Sequence, residues 1–398
     1  MNPRLAALNP YPFERLRALF EDVRPPSDRE PINLGIGEPK QAPPDFVLET
    51  IHRERAGFAR YPTTGGTRGL QEACARWAEA RFHLPGGGLE PGRNVIPVNG
   101  TREALFGVAQ AVVGAKERPV VAMPNPLYQI YEGAALFAGA EPVYVAAGSS
   151  SGLPDFAGLP ASVLDRTELL YICSPGNPTG AVVGHDQYRE LLRLADQHDF
   201  LIAADECYSE IYPDETDPPV GLLEVAAAEG RSDFRRCLAF HSLSKRSNLP
   251  GLRSGFVAGD AAVIEAFLKL RTYLGNATPP PLQEAAVAAW SDEAHVRENR
   301  AAYRERFARV LEILGPALDV EAPAGGFYLW PRVPGGGEQF AKELYAREGI
   351  TVLPGAYLGR EVEGQNPGTD HVRIALVDGL ERCEDAAWRI RRVAEALQ

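Results

Sequence analysis

Between residues 94 and 260, short runs rich in β-branched and apolar residues recur at intervals long enough to hold a helix. They are NVIPV (94–98), PVVAM (119–123), EPVYVA (141–146), ELLYIC (168–173), FLIAAD (200–205), CLAFHS (237–242) and GFVAG (255–259). Strands joined by helix-length crossovers cannot form hairpins. They predict a largely parallel sheet with helices on both faces, an α/β architecture. Between the runs, Thr101 to Val113, Leu127 to Phe137 and Asp186 to Gln197 carry apolar residues at three- and four-residue spacing, the mark of crossover helices.

The pattern changes after residue 260. Long helical stretches around 261–273, 281–291 and 294–313 give way to two short strand runs, FYLWPRV and HVRIALV, and then to a last helix ending at Leu397. A chain of 398 residues exceeds what one core usually organises. Two domains are therefore expected: a large one over 45–277, and a smaller α+β one from 1–44 and 278–398. The boundary is placed near Thr278, where TPPPLQ interrupts the periodicity.

Composition narrows the partners. The formal charge of -12 comes from mixed acids and bases, which disfavours nucleic acid and anionic membrane. Any anionic ligand must then be held by a few placed cations. No apolar run approaches a bilayer span, and MNPRLAALNPYPFERLRALF has prolines and charges where a signal peptide is apolar, so a cytoplasmic protein is expected. Five cysteines without CxxC spacing and seven unclustered histidines argue against a disulfide framework, structural zinc or any bound metal. Cys173, Cys207 and Cys237 lie in or just after apolar runs, where cysteine acts as a small hydrophobe.

Ligands of open parallel sheets bind at the C-terminal strand ends. Three such ends are chemically distinctive. ELLYIC is followed by SPGNPTG with Asn177, FLIAA by Asp205 and then Tyr208, and CLAFHS by LSKRSNLPGLRSG with Lys245 and Arg253. Singly, each has a plainer reading: a turn, a helix cap, a solvated lysine, a surface arginine. Their order and shared position favour one ligand met by an amide, a carboxylate, a phenol and an amine.

The series NGTREAL, Tyr128, SPGNPTG, DECYSEIY, HSLSKRSNLPGLRSG and HVRIALV resembles the class I/II aminotransferases of the fold-type-I pyridoxal-phosphate family, over nearly the whole chain. That resemblance implies a homodimer acting on amino acids and oxo acids. It also implies a Schiff base between pyridoxal 5'-phosphate and Lys245, the amine that then shuttles the substrate proton. By the same similarity Asp205 pairs with the ring nitrogen, Asn177 and Tyr208 meet the 3′ oxygen, and Tyr128 stacks on the ring. Gly100, Thr101 and Arg102 begin a helix after a strand, where backbone N–H groups and the helix dipole suit a phosphate. Ser242, with Ser244 as an alternative, and Arg253 match family positions that hold the same phosphate. Arg373 matches the residue that grips the substrate α-carboxylate, and Gly37 a glycine that approaches the substrate. Tyr61 resembles a tyrosine that crosses to the partner's phosphate.

For the substrate, GEPK at 37–40 and the opening NPYPFERLRALF are similar to N-succinyldiaminopimelate aminotransferases of lysine biosynthesis. Such a substrate carries several carboxylates, so Lys40, Arg102 and Arg246 are candidate cations for its distal end. Aspartate, aromatic or alanine transamination, and a C–S lyase on the same fold, are the alternatives.

Overall fold

The structure is a computed structural model that describes residues 1–147 and 152–398. Its strands in chain order are β1 (Ile32–Asn33), β2 (Val95–Val98), β3 (Val120–Asn125), β4 (Glu141–Ala146), β5 (Thr167–Cys173), β6 (Leu201–Asp205), β7 (Cys237–Ser242), β8 (Gly255–Gly259), β9 (Tyr328–Leu329), β10 (Ile350–Thr351), β11 (Leu353–Pro354) and β12 (Val372–Ala375). Seven of them form one sheet in the order β2-β8-β7-β6-β5-β3-β4. The pairings β3 with β4, β3 with β5, β5 with β6 and β6 with β7 are parallel. β8 is antiparallel to both of its neighbours, β2 and β7.

That one reversal matters for the site. Gly255, the first residue of β8, pairs with Ser242 and Val98, the last residues of β7 and β2. Arg253 precedes its strand, yet it lies at the edge where the other strands end.

The sheet is buried on both faces, and strand alternation sorts its side chains. In β5, Leu169 and Tyr171 pack into a core with the helices Thr101–Val112, Gln129–Ala138 and Ala261–Leu274. Leu170 and Ile172 point the other way, into a core with Arg68–Arg81, His185–His198 and Pro280–Trp290. The last of these helices lies beyond the boundary expected at 277/278. It contributes Ala285, Ala286, Ala289 and Trp290 to the core around Trp77 and Phe256. We propose that the division between domains falls after Trp290, because the prolines of TPPPLQ start this helix rather than separate two bodies.

A separate core gathers Ile32 and Leu34 with residues from 310 to 394, including Val310, Leu314, Phe340, Ile374 and Ile390. Its strands are short. β1 pairs with β10, and β11-β12-β9 form an antiparallel sheet that sets Arg373 opposite Leu353. FYLWPRV and HVRIALV thus supply only two and four strand residues.

Candidate active site

Along the edge where β5, β6 and β7 end, a cavity of about 200 Å³ opens. Eight residues singled out from the sequence line it: Gly37, Thr101, Tyr128, Asn177, Asp205, Tyr208, Lys245 and Arg373.

Lys245 belongs to a single helical turn, Leu243–Arg246, that follows β7 directly. Its Nζ donates to the Gly37 carbonyl at 2.5 Å. Burial lowers the pKa of this amine to about 8, with Arg373 and Arg253 adding to the fall and Cys207 and Glu38 opposing it. Gly37 is required here because a Cβ would stand 1.9 Å from the Tyr328 hydroxyl.

Asp205 closes β6 and is 5% exposed. It accepts hydrogen bonds from the Tyr131 hydroxyl at 2.7 Å and the Cys207 N–H at 3.4 Å, and has no ion-pair partner among the described residues. Burial raises its pKa despite those bonds. A buried carboxylate without a cation suits a ligand that brings a positive N–H.

Arg373 is also 5% exposed. It donates to Asn177 Oδ1 at 2.9 Å and to the Gly35 carbonyl at 2.8 Å, and lies over the Tyr328 ring at 4.4 Å. Its Nε is buried without a partner. An arginine oriented on one side and unspent on the other is prepared for a carboxylate.

At the end of β2, Gly100 takes φ +81 and starts the helix Thr101–Val112. A Cβ there would lie 2.2 Å from Arg253 Nη2, so the glycine admits the guanidinium to the helix start. Arg253 donates to the Asn99 carbonyl at 3.2 Å and remains exposed. Thr101 Oγ1 lies 2.9 Å from Cys207 Sγ. Ser242 caps the Lys245 turn by accepting the Ser244 N–H at 3.1 Å. These groups form a cationic, N–H-rich corner beside the amine. The donors, the unpaired Asp205 and the lysine together fit pyridoxal phosphate.

Other expected residues lie elsewhere. Lys40 pairs with Asp378 at 2.6 Å and does not line the cavity. Arg246 is not a substrate cation: it is 1% exposed, paired with Glu293, and packed over Trp77 and Trp290. Arg102 does not line the cavity either; it is exposed and donates at 2.6 Å to the hydroxyl of Tyr11, which does. Tyr61 is 100% exposed and away from the cavity of its own chain.

Sequence reasoning missed several contributors. Tyr131, the partner of Asp205, stands three residues after Tyr128, a helical spacing that is the signal for it in the sequence. Tyr328 bonds the Tyr208 hydroxyl at 3.0 Å. It reaches the site because β9 pairs with β12, a pairing that no local signal gives. Tyr11, Phe13, Leu353 and Leu358 supply the outer wall.

A family model described as aminotransferase class I and II matches residues 29–387. An LL-diaminopimelate aminotransferase from Nitratidesulfovibrio vulgaris is 31% identical over 395 residues, covering 97% of each chain. Among solved structures, an aminotransferase from Neisseria meningitidis superposes with a TM-score of 0.94 at 42% identity, over 100% of both chains. A probable N-succinyldiaminopimelate aminotransferase from Thermus thermophilus gives 0.81 at 27% identity, over 96% of this chain and 98% of that one. Matched from end to end and carrying this arrangement of amine, carboxylate and guanidinium, the chain belongs to the class I and II aminotransferases, which depend on pyridoxal phosphate.

Proposed function

We propose that this aminotransferase moves the amino group of glutamate onto N-succinyl-2-amino-6-oxopimelate, the acceptor of a succinylated route to diaminopimelate and lysine. The observation that carries transamination is the Lys245 amine, with its lowered pKa, sharing one cavity with Arg373, whose Nε is unspent; the succinylated acceptor rests on the resemblance of GEPK and NPYPFERLRALF and on the Thermus thermophilus neighbour. The first can move a proton and the second can hold the α-carboxylate of an amino or oxo acid.

Pyridoxal phosphate supplies the electron sink for the pair released when the substrate α-C–H bond breaks. The protein's residues do the rest. Lys245 would take and return the substrate α-proton, and a pKa of about 8 would keep the cost of each transfer small. Asp205, buried and without a cation of its own, would set its negative charge against the ring nitrogen and so favour that nitrogen's protonated form. Asn177 and Tyr208 would hold the 3′ oxygen, and Tyr128 would pack against the ring. Gly100, Thr101, Ser242 and Arg253 would take the phosphate. Arg373, braced by Asn177, fixes the α-carboxylate.

The distal end of so anionic a substrate needs a further cation. Lys40 is spent on Asp378 and Arg246 on Glu293, whereas the partner of Arg102 is a neutral phenol. Arg102 is therefore assigned to the distal carboxylate, in place of Lys40. Tyr61 supports a homodimer with shared sites, since it stands fully exposed on a chain whose Phe58 and Tyr273 are also exposed.

The name of the Nitratidesulfovibrio relative favours a second reading, in which the substrate has no succinyl group and keeps its distal amine. Side-by-side measurements of kcat/KM separate them, with glutamate as donor to each oxo acid and with LL-diaminopimelate as donor to 2-oxoglutarate. Preference for the succinylated oxo acid supports the proposal. Preference for LL-diaminopimelate as donor selects the second reading, and preference for oxaloacetate, phenylpyruvate or pyruvate overturns both.

A further inference from the structure

One buried ion pair outside the cavity touches nothing that reacts, yet it ties together the two sides of the site. Arg360 donates to both oxygens of Glu132, from Nε and from Nη2, each at 2.7 Å. Glu132 is 3% exposed, and its Oε1 also accepts from the Tyr144 hydroxyl at 2.6 Å and from Asn9 Nδ2 at 3.0 Å. A carboxylate so enclosed stays charged only while its donors are in place. Burial would push its proton affinity up, and the bonds from Arg360 and Tyr144 hold the pKa below the usual range.

The backbone of Arg360 is gripped as well. Its N–H donates to Asn125 Oδ1 and its carbonyl accepts from Asn125 Nδ2, both at 2.9 Å. Two residues earlier, the Leu358 carbonyl accepts the Leu127 N–H at 3.0 Å. The segment Leu358–Arg360 thus fastens the turn between β3 and the helix Gln129–Ala138 at its start, its middle and its first helical turn.

Both fastened parts carry site residues. Tyr128 caps that helix, and Tyr131, the neighbour of Glu132, holds Asp205. On the other side, Leu358 and Leu353 wall the cavity, and Leu353 pairs in register with Arg373.

We propose that Arg360 is a positioning residue: through Glu132 and Asn125 it locks the Tyr128–Tyr131 turn, so that Asp205 and Arg373 keep a fixed separation across the cavity. The inference rests on the role proposed above for Asp205. Removal of either charge leaves the other buried and unpaired. The helix start should then loosen and Tyr131 should leave Asp205.

The test is a double-mutant cycle on the cofactor-loaded enzyme with Arg360→Gln, Tyr131→Phe and the double variant. It reads kcat, KM, the dissociation constant for pyridoxal phosphate and the pH titration of the bound cofactor's absorbance. Arg360→Gln should weaken cofactor binding on the order of tenfold and lower kcat more than it raises KM. Because both substitutions act on Asp205, the double variant should lose little more than the worse single one. Arg360→Lys, which keeps the charge and one bond, should fall between wild type and Arg360→Gln, and serves if the glutamine variant does not fold. Losses that multiply independently, or a fall in melting temperature with unchanged cofactor titration, would overturn the clamp. If Tyr131→Phe and Asp205→Asn both keep wild-type kcat, the role of Asp205 itself fails and the clamp falls with it.

Discussion

The cofactor corner and the rim of the cavity are built by different rules. The corner uses residues at adjacent ends of one sheet: Asn177 after β5, Asp205 closing β6, Ser242 and Lys245 at β7, and Arg253 before β8. Parallel topology brings the first four to one edge, and the reversal of β8 brings Arg253 to the same edge. The rim uses Tyr11, Ile36, Leu353 and Leu358, brought together by packing between segments hundreds of residues apart. A side chain's role in the corner follows from its place on a strand. At the rim it follows from the partner that reaches it first, as Lys40 and Arg102 illustrate.

The largest expected effect lies in the corner. Lys245→Ala should lower turnover by about 10⁴-fold while pyridoxal phosphate still binds without a covalent bond, measured by single-turnover kinetics and cofactor retention. The pH dependence sharpens the point. Only the neutral amine attacks the cofactor aldehyde, so capture by the cofactor-free protein should be fast above a pKa of about 8. Below it, the rate should fall about tenfold per pH unit. A midpoint near the 10.5 of an ordinary lysine would mean that burial does not tune the group.

Next is Asp205→Asn, which keeps the shape and removes the charge that holds the ring-nitrogen proton. A loss of kcat on the order of 10²- to 10³-fold is expected. Near-normal kcat would break the view that strand-end residues do the chemistry.

The strands were legible because their sequence is locally decisive. EPVYVA, CLAFHS and GFVAG coincide with β4, β7 and β8 as drawn from the apolar runs alone. The short sheet around Arg373 was harder to read, since two-residue strands leave almost no periodicity, and HVRIALV yields only Val372–Ala375. Arg246 shows why charge is read least well. Beside Lys245 it looks like another site cation, but it turns into a slot between Trp77 and Trp290 to meet Glu293. Sequence gives the sign of a charge and not its counterion.

At the rim, Arg102→Gln should lower kcat/KM for the succinylated acceptor about tenfold, the cost of one charge-assisted contact, with little change on pyruvate. Kinetics on both acceptors check it. Equal losses on the two would assign Arg102 to the phosphate instead, moving it from the rim to the corner.

The smallest effect is expected at Lys40, the residue whose charge first pointed to a polyanionic substrate. Its side chain is 43% exposed, and its partner Asp378 keeps a second cation, Arg382, at 3.3 Å. Lys40→Ala should therefore cost less than about 1 kcal/mol of stability and leave the order of substrate preference unchanged. The pH dependence has a definite sign. Burial alone would raise the Asp378 pKa, but its bonds to Lys40 and Gly379 hold it below the ordinary 3.8. The stability from this depressed pKa is therefore complete above the unfolded value and is lost as pH falls through the folded one. Without Lys40 the folded value moves up, so the variant should lose its stability at a higher pH on the acid side and match wild type in shape above pH 5 or so. Thermal denaturation across that range reads the shift, and a loss confined to the succinylated substrate would return Lys40 to the rim as a recognition residue.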